Sequence, residues 1–313
     1  MLSLGFDLIQ LAADNSSQVI SFAEGASTEE RKLVYSIVAG MNVVSLLGSL
    51  FSIGASYLLS DTKNSFDKMI FGLASMDLIY NAISLFQATS KQGEFFCSCS
   101  SFAMIFGWIG SLFWTCCFAH FIYKLLKNTE NELPSPPIKN YTTISILIGF
   151  IFGVLAVITN FDQIDKETQF CAHQTSERTG PAAYSDLVIL VIPTISSVMY
   201  CITSYVLIIR KIKKMAGTIH IELLAYPLIL IICYFPYLLL GVYILFNKDY
   251  TVGFWSLLCT DILFNSQGLL NAFTYGYSQR VRNTIKGKCC RRKNYSVTSS
   301  RIYDPLSMEN DGI

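Results

Sequence analysis

Charged residues are scarce in this chain. Asp, Glu, Lys and Arg make up 14% of its 313 residues, and the net charge is +1. A soluble domain carries about a quarter charged residues, whereas 52% of this sequence is hydrophobic. The charge is too sparse to cover the surface of a soluble protein of this size, so we expect lipid to solvate the remainder. The small net charge gives no reason to expect a nucleic-acid partner.

Motifs of catalysis and metal binding are also missing. The ten cysteines and three histidines form neither a CxxC pair nor a Cys/His zinc spacing. The sequence contains no HExxH, GxSxG or P-loop pattern, so we expect no enzyme, no metal centre and no cofactor. Residues 253–275 contain no lysine, which excludes a Schiff-base retinal there. The N-terminus lacks a basic segment and a long apolar run, so we predict no cleavable signal peptide.

Long apolar runs are what the sequence has instead. A membrane-spanning helix needs about 20 mostly apolar residues, and its backbone groups must be hydrogen-bonded within their own segment. The pattern predicts an all-α membrane protein with a seven-transmembrane helix bundle over 33–276. An extracellular N-terminus, 1–32, precedes it, and a short amphipathic eighth helix and tail, 277–313, follow. The seven runs are 33–59, 68–88, 101–126, 142–160, 185–209, 221–246 and 253–275.

The positions of the basic residues predict the orientation. With the N-terminus outside, 17 of the 23 Lys and Arg residues fall on the inner side. Cytoplasmic segments carry such an excess in membrane proteins. We therefore expect a multi-pass protein, with the plasma membrane as its default location, an extracellular N-terminus and a cytoplasmic C-terminus.

Three cysteines then lie outside, where disulfides persist. A bridge from the third run to the long outer loop 161–184 would hold that loop over the bundle. Cys97 with Cys171 is the preferred pair, Cys99 is the second candidate partner, and three free thiols are the alternative. Asn15 stands in an Asn-Ser-Ser sequence, so we predict glycosylation there.

The basic tail contains a second pair of candidate modification sites. Cys289 and Cys290 stand in the sequence KGKCCRRK, a short way past the seventh run. Cysteines among basic residues next to a membrane are typical of palmitoylation. The alternative is a basic tail with unmodified thiols.

Polar residues inside the apolar runs are costly in lipid and usually face the bundle interior. Asp77 lies near the middle of the second run, with Asn42 in the first and Asn271 in the seventh. We predict a hydrated network that joins these three and switches between two states; static hydrogen bonding between helices is the alternative. Pro236 in the sixth run predicts a kink, which is either a hinge or a fixed bend.

Several segments resemble the cyclic-AMP-receptor-like (class E) family of G-protein-coupled receptors. They read LFWTCCFAHFIYKLL at 112–126, QGLLNAFTYG at 267–276, SLLGSLFSIGASYLL at 45–59 and FDKMIFGLASMDLIYNAI at 66–83. The resemblance covers roughly residues 45–277, and the second segment is the most specific part of it. It implies a receptor that senses an unknown extracellular ligand and activates a heterotrimeric G protein.

The sequence also departs from related receptors. The Asp-Arg-Tyr triplet of rhodopsin-like receptors is absent, and Tyr123 and Lys124 stand below the third run instead. Basic residues on the outer side are scattered, whereas a cyclic nucleotide would need them for its phosphate. The resemblance therefore does not assign cyclic AMP as the ligand. The switching or structural positions that it implies are Trp114, Asn271, Tyr275 and Gly276.

The receptor hypothesis assigns two further sets of residues. Candidate ligand contacts in the outer half of the bundle are Trp108, Trp255 and Asp261. The alternative functions are a small-molecule transporter or channel, although such proteins often contain repeats that this chain lacks, and a scaffold without a ligand. Candidate G-protein contacts, which positive-inside anchoring alone also explains, are Lys124, Arg210, Lys211, Lys213 and Lys214.

Overall fold

The structure is a computed structural model that describes 28–58, 65–90, 93–127, 137–159, 162–164, 171–173, 187–214, 225–246, 254–278 and 281. Helices dominate the described residues, and a short antiparallel hairpin pairs β1 (Asp162–Ile164) with β2 (Cys171–His173). The π-helical turn Leu187–Val191 leads into α5. The helices are α1 (Thr28–Leu58), α2 (Ser65–Thr89), α3 (Glu94–Lys127), α4 (Ile138–Ile158), α5 (Ile192–Lys214), α6 (Ala225–Phe246), α7 (Phe254–Asn265) and α8 (Gln267–Tyr277).

Helices α1 to α5 are long and apolar enough to cross a membrane. They mark the chain as a multi-pass membrane protein and confirm five of the predicted spans as apolar helices. In α6, the apolar segment Ala225–Leu240 is shorter than these spans. The predicted amphipathic helix after Tyr277 lies almost entirely outside the described residues.

The outer faces of the helices carry the large apolar side chains. On α1, Leu47 and Leu50 are exposed, whereas the buried face carries serines at positions 45, 49, 52 and 56. A soluble helix has the opposite pattern, with its apolar stripe toward the core. Exposed apolar faces and small polar residues between helices suit a protein whose solvent is lipid.

Small residues allow α4 to lie close to α3. Its buried face carries Ser145, Gly149, Gly153 and Ala156. A Cβ added at Gly149 would lie 2.8 Å from the carbonyl oxygen of Phe106 on α3. Close approach through small residues is a common way to pack membrane helices. As a result α3 lies in the centre, packed against α2, α4, α5 and α6.

The predicted single helix over 253–275 is instead two helices, separated at Ser266. The Ser266 hydroxyl donates to the Leu263 carbonyl at 2.7 Å, and the Asn265 side chain donates to the Asp261 carbonyl at 2.8 Å. The Ser45 hydroxyl of α1 donates to the Asn265 carbonyl. Side chains that bond backbone carbonyls compete with the regular helical pattern, and a partner from another helix compensates the interruption.

Candidate functional site

A chain of buried side chains connects four helices at the centre of the bundle. The chain begins at Trp108 on α3 and ends at Asp77 on α2, and each of its hydrogen bonds joins two helices. We call it the Asp77 network. Its members are Asp77, Trp108, Ser111, Tyr234, Gln267 and Asn271.

Asp77 is the acceptor on which the network converges. One carboxylate oxygen accepts from the Ser111 hydroxyl at 2.5 Å, and the other accepts from the Asn271 side-chain amide at 2.8 Å. All three residues are buried. A carboxyl group away from water needs such donors, because burying it without a partner is costly. The predicted contact of Asp77 with Asn271 is therefore present in the structure.

Gln267 on α8 links this centre to α6. Its side-chain oxygen accepts from the Tyr234 hydroxyl at 2.6 Å, and its side-chain nitrogen donates to the Ser111 hydroxyl at 3.1 Å. The indole nitrogen of Trp108 donates to the Tyr234 hydroxyl at 3.1 Å. Each group in this series donates to the next one along the way to the Asp77 carboxylate. Displacement of one member therefore changes the hydrogen bonds of the next.

Pro236 lies next to the network in the chain. It lies inside α6, two residues after Tyr234. Proline removes one backbone hydrogen bond from a helix and favours a kink. Movement of α6 about Pro236 would move the Tyr234 hydroxyl relative to Gln267. This geometry couples the direction of α6 to the hydrogen bonds of α2, α3 and α8.

A small cavity lies beside the network. It has about 10 Å³ of space for the centre of a water molecule, which matches one water. The side-chain oxygen of Asn81, one of its lining residues, is buried and has no hydrogen-bond partner among the described residues. A site for an organic ligand usually needs about 300–1,000 Å³, so this cavity does not accommodate one. Its lining residues are Asp77, Tyr80, Asn81, Trp108, Ser111, Tyr234, Phe264, Asn265, Gln267 and Gly268.

Asn42 lies apart from the Asp77–Asn271 contact. Its side-chain amide donates to the Ser84 hydroxyl on α2 at 2.9 Å. The structure therefore places the third predicted member of the network in a separate contact between α1 and α2. Sequence reasoning missed Ser111, Gln267 and Tyr234, although Gln267 belongs to the QGLLNAFTYG segment.

A second cluster of buried side chains lies at the Ala225 end of α6. The Tyr226 ring lies 4.7 Å from the Phe118 ring and 6.2 Å from the Phe66 ring. Nearby, the Tyr275 hydroxyl donates to an Asp67 carboxylate oxygen at 3.2 Å. These contacts hold the Ala225 end of α6 and the end of α8 against α2 and α3.

Trp114 packs against α2 through its ring. Its ring is buried, and its indole nitrogen has no hydrogen-bond partner among the described residues. The ring lies against Gly72 of α2, where an added Cβ would come within 2.4 Å of it. The structure gives Trp114 a packing contact with α2, and its switching role stays a prediction.

The three candidate ligand residues do not share a pocket in the described part of the chain. Trp108 is 2% exposed and belongs to the Asp77 network. Trp255 is 72% exposed on α7, and Asp261 is half-buried one to two turns further along the same helix. Neither Trp255 nor Asp261 lines the cavity beside the network.

Cys97 and Cys171 are joined in the structure, with their Cα atoms 5.4 Å apart. The bond attaches β2 to the beginning of α3. The Gln87 amide of α2 lies beneath it and donates to the Ser100 hydroxyl at 3.1 Å. Cys99, the second candidate, is an exposed free thiol.

The other predicted sites divide into described and undescribed residues. Lys124 and Arg210 are exposed and Lys211 is half-buried. Among the described residues, no group of three His, Cys, Asp or Glu side chains is arranged to hold a metal ion. The side chains of Lys213 and Lys214, and residues Asn15, Cys289 and Cys290, lie outside the described residues.

Comparisons with known proteins give no family assignment. No protein-family model matches the chain, and no curated protein matches it significantly. Functional inference therefore depends on the sequence and on the geometry of the Asp77 network.

Proposed function

We propose that this protein is a seven-transmembrane receptor that senses an extracellular ligand and activates a heterotrimeric G protein. The observation that carries the proposal is the directional series of hydrogen bonds from Trp108 through Tyr234 to Asp77. It joins a proline-containing helix to three others, so a change in the direction of that helix would break the series and give a second arrangement. The class E resemblance of the sequence supports the same function.

The proposed topology counts α7 and α8 together as the seventh crossing. Residues 254–277 extend about 36 Å at 1.5 Å per residue, and α6 extends about 33 Å. Both lengths exceed the roughly 30 Å of a hydrocarbon core. An odd number of crossings puts the two ends of the chain on opposite sides. The excess of basic residues then places the C-terminus in the cytoplasm, with the plasma membrane as the proposed location.

Signalling in this proposal is a change in the direction of α6. A ligand that favours the arrangement in which Tyr234 has left Gln267 would shift the population toward it. The Ala225 end of α6 would then separate from Phe118 and Phe66. The surface that this movement opens lies on the proposed cytoplasmic side, where a G protein binds.

The ligand would bind on the outer side of the Asp77 network, since the cavity beside the network fits only water. The hairpin held by Cys97 and Cys171 would cover this region. Trp255 and Asp261 remain the candidate contacts on α7. Membrane lipid surrounds the exposed faces of the helices.

Guanine-nucleotide exchange tests the proposal directly. The purified protein is reconstituted in vesicles with heterotrimeric G proteins, and exchange is compared with vesicles that lack it. We expect exchange above that background, reduced when Lys124 and Arg210 are replaced by Gln. Lys68→Gln, which removes an exposed charge on α2, is the matched control.

Two outcomes would reject the receptor function. One is exchange at background for the whole set of G-protein subtypes, with the protein shown to be folded by its melting transition. The other is substrate-driven flux through the same vesicles without exchange, which would identify a transporter or channel. Equal exchange by the Lys124/Arg210 variant and the control would reject the contact surface only.

A further inference from the structure

An aromatic cluster surrounds Phe264 of α7 in the interior of the bundle. The centre of the Phe264 ring lies 4.9 Å from that of Tyr234 and 5.6 Å from that of Tyr237, both on α6. It also lies 5.9 Å from the Tyr80 ring of α2 and 5.6 Å from the Trp108 ring of α3. Rings from four helices therefore meet at one point.

Asp261 lies one turn from this cluster, toward the Phe254 end of α7. It precedes Phe264 by three residues and Asn265 by four, so its side chain lies between theirs on the helix surface. The Phe264 ring belongs to the aromatic cluster, and the Asn265 side-chain oxygen accepts from the Tyr80 hydroxyl at 3.0 Å. Both side chains face the bundle interior, so Asp261 faces it too.

The interior is open on the side of Asp261. Asp261 and Phe264 are half-buried, whereas Trp108 and Tyr234 on the other side of the cluster are buried. Asp261 does not line the water-sized cavity described above, so its exposed surface belongs to an opening toward Phe254. About 10 Å of helix separates Asp261 from that end of α7, which the proposed topology places outside. The carboxylate is therefore within reach of a small molecule from the outer side.

The Asp261 carboxylate has no partner among the side chains that the structure describes. No hydrogen bond and no neighbouring charge acts on it there, and the Asn265 amide donates to its backbone carbonyl instead. An ionisable group inside a membrane helix is costly and almost always has a partner, as Asp77 has in Ser111 and Asn271. Asp261 lacks the partner that a carboxylate at this depth requires.

We propose that this site binds a small organic cation, with its ammonium group between the Asp261 carboxylate and the Phe264 and Tyr237 rings. The carboxylate supplies the opposite charge, and an aromatic face attracts an ammonium group within about 6 Å of the ring centre. A metal ion suits the site less, because no three His, Cys, Asp or Glu side chains are arranged to hold one within the described ranges. The inference rests on the proposed receptor function in one respect, since it names this cation as the extracellular ligand.

The site is placed to act on α6. The Phe264 ring contacts Tyr234, whose hydroxyl donates to Gln267 at 2.6 Å. Tyr234 and Tyr237 precede and follow Pro236 in the chain. A cation held against Phe264 and Tyr237 would therefore favour one direction of α6 over the other.

Choline binding to the full-length protein in lipid nanodiscs tests the proposal, measured as the rise in melting temperature with choline concentration. We expect a saturable rise that 3,3-dimethylbutanol, the uncharged carbon isostere of choline, does not give. Asp261→Asn should weaken binding at least about tenfold, and Phe264→Leu about two- to thirtyfold. The matched control is Glu94→Gln, which removes an exposed carboxylate at the start of α3 and should leave binding unchanged.

Equal stabilisation by choline and its uncharged isostere, or no stabilisation by either, would overturn the proposal. So would equal affinity of Asp261→Asn and the control, with each variant shown to be folded by its melting transition. Displacement of choline by sodium, with unchanged affinity in Phe264→Leu, would assign the carboxylate to an inorganic cation instead.

Guanine-nucleotide exchange separates this inference from the receptor function. Choline binding that depends on Asp261, without exchange for any G-protein subtype, would support the cation site and reject the receptor. Exchange by a protein that does not bind choline would support the receptor and overturn the cation site.

Discussion

Replacing Tyr234 with Phe removes two hydrogen bonds from the Asp77 network and leaves the ring in place. The hydroxyl donates to Gln267 at 2.6 Å and accepts from Trp108 at 3.1 Å. Side-chain hydrogen bonds in a membrane protein average about 0.6 kcal/mol each. Loss of both amounts to about 1.2 kcal/mol, which is a roughly eightfold change in a two-state equilibrium.

The sign of the effect follows from where the bonds are made. They hold α6 in the arrangement in which Tyr226 packs on Phe118, so their loss favours the other arrangement. We expect Tyr234→Phe to raise ligand-independent guanine-nucleotide exchange by up to about eightfold. Tyr57→Phe, which removes a hydroxyl from an exposed tyrosine of α1, should leave exchange unchanged.

Gln267→Leu provides the second side of a double-mutant cycle. Because Tyr234 and Gln267 share a hydrogen bond, the double variant should change exchange by less than the sum of the two single effects. Thermal melting of each variant shows whether the protein remains folded. If Tyr234→Phe lowers the melting temperature while basal exchange stays at the wild-type level, the network is static bonding between helices. That result would refute the switching role.

Two further predictions concern the packing and the outer end of the bundle. Gly72→Ala should destabilise the protein by about 1–3 kcal/mol, because the new Cβ would lie 2.4 Å from the Trp114 ring. Thermal melting measures the effect, with Gly54→Ala as the control because nothing lies within 4 Å of a Cβ added there. Equal melting temperatures for the two variants would contradict the close contact. Cys171→Ser should lower the free energy of unfolding by about 2–4 kcal/mol through loss of the disulfide, whereas Cys99→Ser should leave it unchanged. Mass spectrometry of unreduced peptides would contradict the pairing if it found Cys99 bridged to Cys171.

The sequence predicts the helices well where apolar length alone decides. The run 33–59 corresponds to α1 (Thr28–Leu58), and the other four long spans agree to within several residues at most ends. The start of α5 differs more, at Ile192 instead of 185, and the π-helical turn Leu187–Val191 precedes it. The start of α3 differs by as much, at Glu94 instead of 101. Its first turns are rich in Cys and Ser and lack an apolar pattern, and the disulfide at Cys97 joins them to β2.

The break at Ser266 has no comparable signal in the sequence. Residues 265–268 read Asn-Ser-Gln-Gly, and a polar face on one continuous helix gives a similar local pattern. The hydroxyl that compensates the Asn265 carbonyl comes from Ser45, 220 positions away in the chain. A partner at that distance is a property of tertiary packing, which periodicity does not report.

The same limit explains why the sequence identifies some members of the Asp77 network and misses others. Asp77 was predicted because a carboxyl group inside an apolar run is costly wherever it lies, and Asn271 because it shares the polar face of its run. Ser111 is small and common in membrane helices, Gln267 is one of several polar residues in its run, and the two are 156 positions apart. Only the packing of α8 against α3 gives them a shared role.

The polar residues of this bundle are therefore of two kinds, which differ in the number of helices that their hydrogen bonds join. A buried side chain that bonds within one pair of helices, as the Asn42 amide does to the Ser84 hydroxyl, stabilises one arrangement. Tyr234 differs, because it both accepts from α3 and donates to α8 from a helix that contains Pro236. Its two bonds cannot both persist if α6 turns relative to those helices. That incompatibility makes Tyr234, rather than the more costly Asp77, the position where a switch in this protein would be set.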